Sequence, residues 1–148
     1  MQFLTFVLNN ITFGMPVEDV EGIETNLGVV GVPDSPANMK GIVKLHGEII
    51  PIYSLSKRFG YPEHNIGNIV IAGVNGMKIG LLVECVKEII EVSDSQVSPM
   101  PQIMNATQNC FNKVASVDKN LVVLLSASNL ISMEEQENIR KLIEDNNQ

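Results

Sequence analysis

The sequence contains few residues that could perform chemistry, and their spacing argues against most reactions. Nucleophilic catalysis requires a serine, cysteine or threonine beside a base, and the sequence offers two imidazoles, His46 and His64. His46 falls in a predicted two-residue turn and His64 in a polar loop, so neither is expected to face Cys85 or Cys110. We therefore expect no catalytic residue, and a protein that is not an enzyme.

Metal and cofactor sites are not expected either. The two histidines and two cysteines lie in four separate regions, without the close ligand spacing of a zinc site. The glycine pairs in residues 28–31 and 73–76 lack the spacing of a phosphate-binding loop. Glu18 and Glu84 are the best candidates for a carboxylate pair, but we interpret both as solvated residues that flank apolar turns.

Charge and composition exclude other classes. The 148 residues carry 17 acidic and 10 basic side chains, a net charge of −7, with no cluster of Lys or Arg, so a nucleic-acid partner is not expected. The apolar runs are shorter than the roughly 20 residues that span a bilayer, and no basic segment precedes the first one. These features, with two isolated cysteines, predict a soluble cytoplasmic protein that does not insert into membranes.

A ten-residue pattern, G-x-x-V-E-x-V-x-x-I, occurs at residues 14–23 and again at residues 80–89. A hairpin signal precedes each copy, at Asn9-Asn10 and at Asn75-Gly76, where a type I′ turn needs positive φ at both positions. Each copy is followed by a proline-bearing bend and a second strand pair, which turn at His46-Gly47 and at residues 118–120. The repeat predicts one small β module that is built twice.

Other elements follow from short β-branched runs separated by turn residues. Strands are predicted at residues 3–8, 11–15, 42–45, 48–52, 69–74, 77–83, 114–117 and 121–125. The apolar spacing inside the two repeat copies fits a helical turn as well as a bent strand, and periodicity does not separate them. Ser132 and Glu135 form a capping box, which predicts a helix from about residue 133 to residue 144 with a stripe of Ile139, Leu142 and Ile143.

Residues 36–55, PANMKGIVKLHGEIIPIYSL, resemble the central signature of the CheW family, P-x-x-I-x-G-V-x-N-L-R-G-x-I-V-P-V-x-D-L. Further agreement comes from residues 3–8, from Phe13-Gly14, from residues 83–86 against the family's V-D-x-V, and from residues 99–101 against its P-x-P. The resemblance covers residues 2 to about 131.

This resemblance implies a mainly β fold with two five-stranded SH3-like β-barrels packed around a hydrophobic seam. Residues 1–66 and 67–131 would form the barrels, and residues 132–148 a short C-terminal helix and tail. It implies a non-enzymatic adaptor that couples chemoreceptor cytoplasmic tips to the regulatory domain of a CheA-type histidine kinase in bacterial chemotaxis. Such a protein would be a monomer in isolation and would be recruited to membrane-associated receptor arrays. The alternatives are a CheW-like interaction module in a two-component pathway without chemotaxis receptors, and a small enzyme with an unrecognised site.

The resemblance also points to contact residues. The receptor-binding region maps onto five positions, four of them matched between the repeat copies: Val20, Ile23, His46, Val86 and Ile89. The kinase-binding region maps onto Gly41 and Ile49 in the first barrel. The matched residues could line the seam from both barrels, or all four could be satisfied core residues.

The chain departs from the family pattern at several positions. His46 replaces the arginine of N-L-R-G, Ser54 the aspartate after P-V-x, Lys44 an asparagine, and Gly22 a glutamate. An Arg-to-His change loses a permanent charge and a rigid fork of donors. These departures affect partner contacts more than the fold, and they are compatible with a divergent paralogue that has its own receptors.

Overall fold

The computed structural model describes residues 1–25, 27–33, 35–63, 67–99 and 113–146, and the elements below lie within them. The strands are β1 (Gln2–Leu8), β2 (Ile11–Pro16), β3 (Val20–Glu24), β4 (Met39–Leu45), β5 (Glu48–Ser54), β6 (Asn68–Val74), β7 (Met77–Val83), β8 (Cys85–Glu91), β9 (Val97–Pro99), β10 (Lys113–Val117) and β11 (Asn120–Leu124). The helices are α1 (Leu55–Phe59), α2 (Ala127–Leu130) and α3 (Met133–Asn146), with short 3₁₀ turns at Val17–Asp19 and Asp94–Gln96.

The strands form two sheets of the same design. One sheet has the order β3-β6-β7-β5-β4, and the other has the order β8-β1-β2-β11-β10-β9. Each sheet contains one parallel pair of strands, β5 with β7 in the five-stranded sheet and β11 with β2 in the six-stranded sheet. The remaining pairs are antiparallel. The expected mainly β fold of two SH3-like barrels is confirmed, although Val97–Pro99 adds a sixth strand to one sheet.

The hydrogen-bonded sheets do not divide the chain at residue 66. The five-stranded sheet combines β3, β4 and β5 with β6 and β7, whereas the other combines β1 and β2 with the strands from β8 onward. Each repeat copy crosses from one sheet to the other, through the turn Val17–Asp19 in the first copy and through a bend at Glu84 in the second. Each barrel therefore contains strands from both halves of the sequence, because the motif is a connection between sheets.

The two repeat copies occupy equivalent places, 66 positions apart. Gly14 pairs with Leu124 of β11, and Gly80 pairs with Ile52 of β5, both in parallel register. An added Cβ would lie 3.1 Å from Val122 Cγ1 at Gly14 and 2.6 Å from Ile52 Cδ1 at Gly80. Glycine at the motif's first position thus makes room for aliphatic side chains inside each barrel.

Four two-residue hairpins join the strands, as the turn signals predicted. The dipeptides Asn9-Asn10, His46-Gly47, Asn75-Gly76 and Asp118-Lys119 all have positive φ at both residues, between 47° and 82°. Type I′ turns of this kind match the right-handed twist of the strands that they connect. The predicted turn positions are therefore confirmed.

Three apolar cores hold the fold together. The five-stranded sheet encloses one, which includes Ile50, Ile52 and Ile71, and the six-stranded sheet encloses another, around Phe3 and Val122. The largest lies between the sheets and under the C-terminal helices, and we call it the seam core. Central strands supply alternate residues to a barrel and to the seam core, which is why their sequences are apolar on both faces.

Candidate functional site

The four matched apolar residues lie on the edge strands β3 and β8. Val20 and Ile23 pair with Ala72 and Val70 of β6, whereas Val86 and Ile89 pair with Phe6 and Leu4 of β1, and these four partners all belong to the seam core. Both registers also contain one extra residue at the same place in the edge strand. Because directly paired residues face the same side of a sheet, each copy presents its two side chains beside the seam core.

Exposure separates the two positions within each copy. Val20 and Val86 are half-buried and pack against the seam core. Ile23 and Ile89 remain 43% and 56% exposed, because each lies on a strand with a neighbour on one side only. Interpreting all four as satisfied core residues is therefore wrong for the two isoleucines, which are free to contact a partner.

His46 lies at the opposite edge of the five-stranded sheet, in the β4–β5 hairpin, but the curvature of the barrel brings it close to β3. It lines a groove of about 200 Å³ together with Glu21, Glu24, Glu48 and Lys78. The Lys78 ammonium donates to Glu48 Oε2 at 2.9 Å, and this hydrogen bond raises the pKa of Lys78. An exposed imidazole thus lies in a groove rich in carboxylates, which Gly22 and Glu24, the neighbours of Ile23 in β3, also line.

The structure places Gly41 and Ile49 on opposite faces of the β4–β5 hairpin. Gly41 pairs with Ile52 and is buried, with φ +149°, and an added Cβ would lie 2.1 Å from the Val30 carbonyl oxygen. Ile49 is half-buried and faces Ile143 of α3 across a groove. Gly41 therefore permits residues 29–30 to approach β4 closely. Of the two residues, Ile49 is the one with an accessible side chain.

The candidate chemical groups that the structure describes lie apart from one another. Glu84 Oε2 accepts a hydrogen bond from the Asn9 backbone amide at 2.6 Å, and Glu18 is exposed in its 3₁₀ turn. Burial, and then the charge of Glu18, raise the pKa of the neighbouring Asp19. Within the described ranges no three metal-ligating side chains come together, and the Cys85 thiol is free and exposed. His64 and Cys110 lie outside the described residues.

Two polar arrangements were not anticipated from the sequence. Thr5 is buried, and its Oγ1 donates to the Glu88 carbonyl at 2.7 Å and accepts from the Glu88 amide at 3.1 Å, which satisfies the extra residue of β8. The Tyr53 hydroxyl donates to Glu135 Oε2 at 3.2 Å, which ties α3 to β5. In both cases the sequence shows a polar side chain within a largely apolar strand. That pattern suggests a buried hydrogen bond, but it does not identify the residue that makes it.

Over the described part of the chain, no helix combines the length and the apolar character needed to cross a bilayer.

Comparison with known proteins gives a consistent result. A family model for the CheW-like domain matches residues 2–135. The probable chemotaxis protein CheW of Rhizobium etli is 29% identical over 92% of this chain and 90% of its own length. The chemotaxis protein CheW of Treponema pallidum is 28% identical over 95% of this chain and 88% of its own. The crystal structure of the scaffolding protein TtCheW from Thermoanaerobacter tengcongensis superposes with a TM-score of 0.81 at 25% identity, covering 90% of this chain and 94% of that one.

Proposed function

The chain belongs to the CheW-like domain family, and from this premise we propose that it is a non-enzymatic scaffold of chemotaxis signalling. In this role it couples chemoreceptor cytoplasmic tips to the regulatory domain of a CheA-type histidine kinase. The observation that carries the proposal is the family match over both sheets, together with relatives named as chemotaxis and scaffolding proteins. We further propose that the protein is a cytoplasmic monomer in isolation and that it is recruited to membrane-associated receptor arrays.

The receptor contact is proposed at the edge strands β3 and β8, where a side chain from each repeat copy is available. Ile23 and Ile89 supply exposed aliphatic surface beside the half-buried Val20 and Val86, so a partner can continue the seam core outward. His46 contributes a polar contact from its groove, in which carboxylates outnumber the Lys78 ammonium. About half of each isoleucine is still exposed, so completing its burial at an interface contributes about 1 kcal/mol, which corresponds to roughly fivefold in affinity.

The kinase contact is proposed on the five-stranded barrel. Ile49 offers half-buried aliphatic surface there, and the adjoining Glu48 and Lys78 frame it with an exposed ion pair. Gly41 acts through the backbone, because it lets residues 29–30 pair with β4 through two 2.9 Å hydrogen bonds between Val30 and Ile42. This pairing holds Val30 at the surface, where it is exposed.

The proposal is tested by co-sedimentation of the protein with receptor-bearing membranes and a CheA-type kinase, and by kinase activity in the same mixture. We expect the protein to join the pellet and to change kinase activity. Ile23→Asp and Ile89→Asp should weaken sedimentation with receptors about tenfold or more while the circular dichroism spectrum is retained. Met133→Asp is the control, because it places the same charge on another exposed apolar residue, at the start of α3.

Three results would argue against parts of this proposal. Unfolding of both isoleucine variants would mean that these residues are core. Equal loss with Met133→Asp would mean that surface charge, and not the edge-strand site, controls sedimentation. Kinase binding without any receptor binding would favour a CheW-like module in a pathway that lacks chemotaxis receptors.

A further inference from the structure

The C-terminal helix shows how one outer face of the fold is covered. On α3, Ile139 and Leu142 are buried in the seam core, and the buried Gln136 accepts a hydrogen bond from Asn75 Nδ2 at 2.6 Å. The helix lies along the hairpin end of the five-stranded sheet, where Ile49 and Met77 form the floor beneath it. An amphipathic helix is thus the occupant of this face.

The six-stranded sheet presents an equivalent face at its own hairpin end. Ile11 of β2 is equivalent to Met77 of β7, which lies 66 positions later in the chain. Leu121 of β11 is equivalent to Ile49 of β5, which lies 72 positions earlier. Met77 is buried and Ile49 half-buried, whereas Ile11 is only half-buried and Leu121 is 67% exposed. Among the described residues, these two positions are therefore less covered in the six-stranded sheet than in the five-stranded sheet.

Neighbouring positions differ in the same way. Pro51 of β5 is buried, and its counterpart Val123 of β11 is half-buried. The α3 segment has no counterpart among the described residues, because the next described element after α1 is the central strand β6. Ile11 and Val123 nevertheless pack against the seam core, so the exposed face continues an interface that already exists inside the molecule.

This face forms one rim of a groove of about 640 Å³, and the charged residues Lys87, Glu88 and Asp118 also line that groove. Thr12 and Asn120 replace the charged residues that frame the groove beneath α3. There, Lys78 and Glu48 lie opposite Arg140 and Glu144 of the helix.

We propose that this face, centred on Ile11, Leu121 and Val123, docks an amphipathic helix of a partner protein. The docking helix presents an aliphatic stripe with the spacing of Ile139 and Leu142, and beside it polar residues that face Lys87, Glu88 and Asp118 of the groove. The face is made by β2 and β11, whereas the proposed receptor residues of the six-stranded sheet lie on β8. The inference is thus separate from receptor and kinase coupling, and it adds a second helix-binding surface to the fold.

The test uses a synthetic peptide of residues 132–146, which carries the stripe that the fold already binds once. The peptide is titrated into full-length protein with ¹³C-labelled methyl groups, and chemical shifts are followed by NMR. We expect saturable shifts at Ile11, Leu121 and Val123. Leu121→Asp should weaken binding by about tenfold or more, since it removes the most exposed aliphatic contact. Val30→Asp is the matched control and should bind as the unmodified protein does, because Val30 is equally exposed but lies beside β4.

Several outcomes would overturn the inference. Shifts confined to Ile49 and Met77 would mean that the peptide only exchanges with the resident α3. Binding that survives Leu121→Asp, or no shifts at saturating peptide, would remove the proposed face. Concentration-dependent shifts at Leu121 without peptide, together with a dimer in sedimentation equilibrium, would identify a second copy of this chain as the occupant instead of a partner helix. A correctly folded Leu121→Asp spectrum excludes unfolding as the cause of lost binding.

Discussion

Replacing the first glycine of each repeat copy by alanine should affect the two barrels unequally. At Gly80 the new Cβ would lie 2.6 Å from Ile52 Cδ1 and 2.9 Å from Ile69 Cγ2, both closer than carbon atoms can approach. At Gly14 the nearest atoms, Val122 Cγ1 and Leu124 Cδ2, lie at 3.1 and 3.2 Å, so small shifts suffice.

The magnitudes follow from two opposing effects. Overpacking of a core costs about 1–3 kcal/mol, and Gly→Ala returns about 0.4–1 kcal/mol by restricting the unfolded chain. Gly80→Ala should therefore lower the free energy of unfolding by about 1–2 kcal/mol, whereas Gly14→Ala should change it by less than about 1 kcal/mol. Gly28→Ala, where no atom lies within 4 Å of the added Cβ, should be neutral or slightly stabilising.

Urea unfolding followed by circular dichroism measures all three variants. A double-mutant cycle then identifies the contact: Ile52→Val removes the Cδ1 atom that the Gly80→Ala Cβ would strike. The double variant should therefore be more stable than the sum of the two single changes by about 1 kcal/mol. Equal losses at Gly14 and Gly80, or strict additivity in the cycle, would refute the argument that this glycine is needed for packing inside the barrel.

Two further predictions concern polar contacts. Thr5→Val should lower the free energy of unfolding by about 1–2 kcal/mol, because it removes both hydrogen bonds to Glu88. Thr5→Ser, which keeps the hydroxyl, should lose less in the same urea experiment. An unchanged free energy of unfolding in Thr5→Val would show that the hydroxyl does not contribute. Burial, and then the charge of Glu135, raise the pKa of Tyr53, so its contribution to stability is present below the pKa of about 10 of an unfolded tyrosine and is lost as pH rises further. When the free energy of unfolding is measured from pH 8 to 11, it should fall less in Tyr53→Phe than in the unmodified protein. An equal fall in both proteins would contradict the role assigned to Tyr53.

Much of the local structure was predictable from the sequence, because it depends on neighbours in the chain. Asn75-Gly76 forms the expected type I′ hairpin, and Ser132 and Glu135 form the expected capping box through two reciprocal hydrogen bonds of 3.1 and 3.2 Å. The stripe of α3 is buried at Ile139 and Leu142, as its spacing predicted. The CheW-like family also follows from local pattern, since the signature of residues 36–55 is contiguous.

Periodicity left open whether the residues after each motif glycine form a helical turn or a strand, and the structure shows a combination. The first copy has a 3₁₀ turn before β3, whereas the second passes through a bend at Glu84 into β8. Pro16 precedes the turn in the first copy, and Leu82 is the corresponding residue in the second. A proline fixes its own φ and favours a tight turn after it, so two copies of one pattern differ locally while keeping equivalent strand registers.

The sequence by itself determined that a β module is repeated, where its hairpins turn and where its last helix begins, since each depends on residues that are close together in the chain. Tertiary structure decided that the halves share strands between sheets, that Ile23 and Ile89 are exposed beside half-buried valines, and that Leu121 is more exposed than Ile49, which lines a groove beside α3. All of these residues are aliphatic and look alike in a sequence. Their exposure is set by which distant strand or helix packs over them, and the folded chain alone fixes that arrangement.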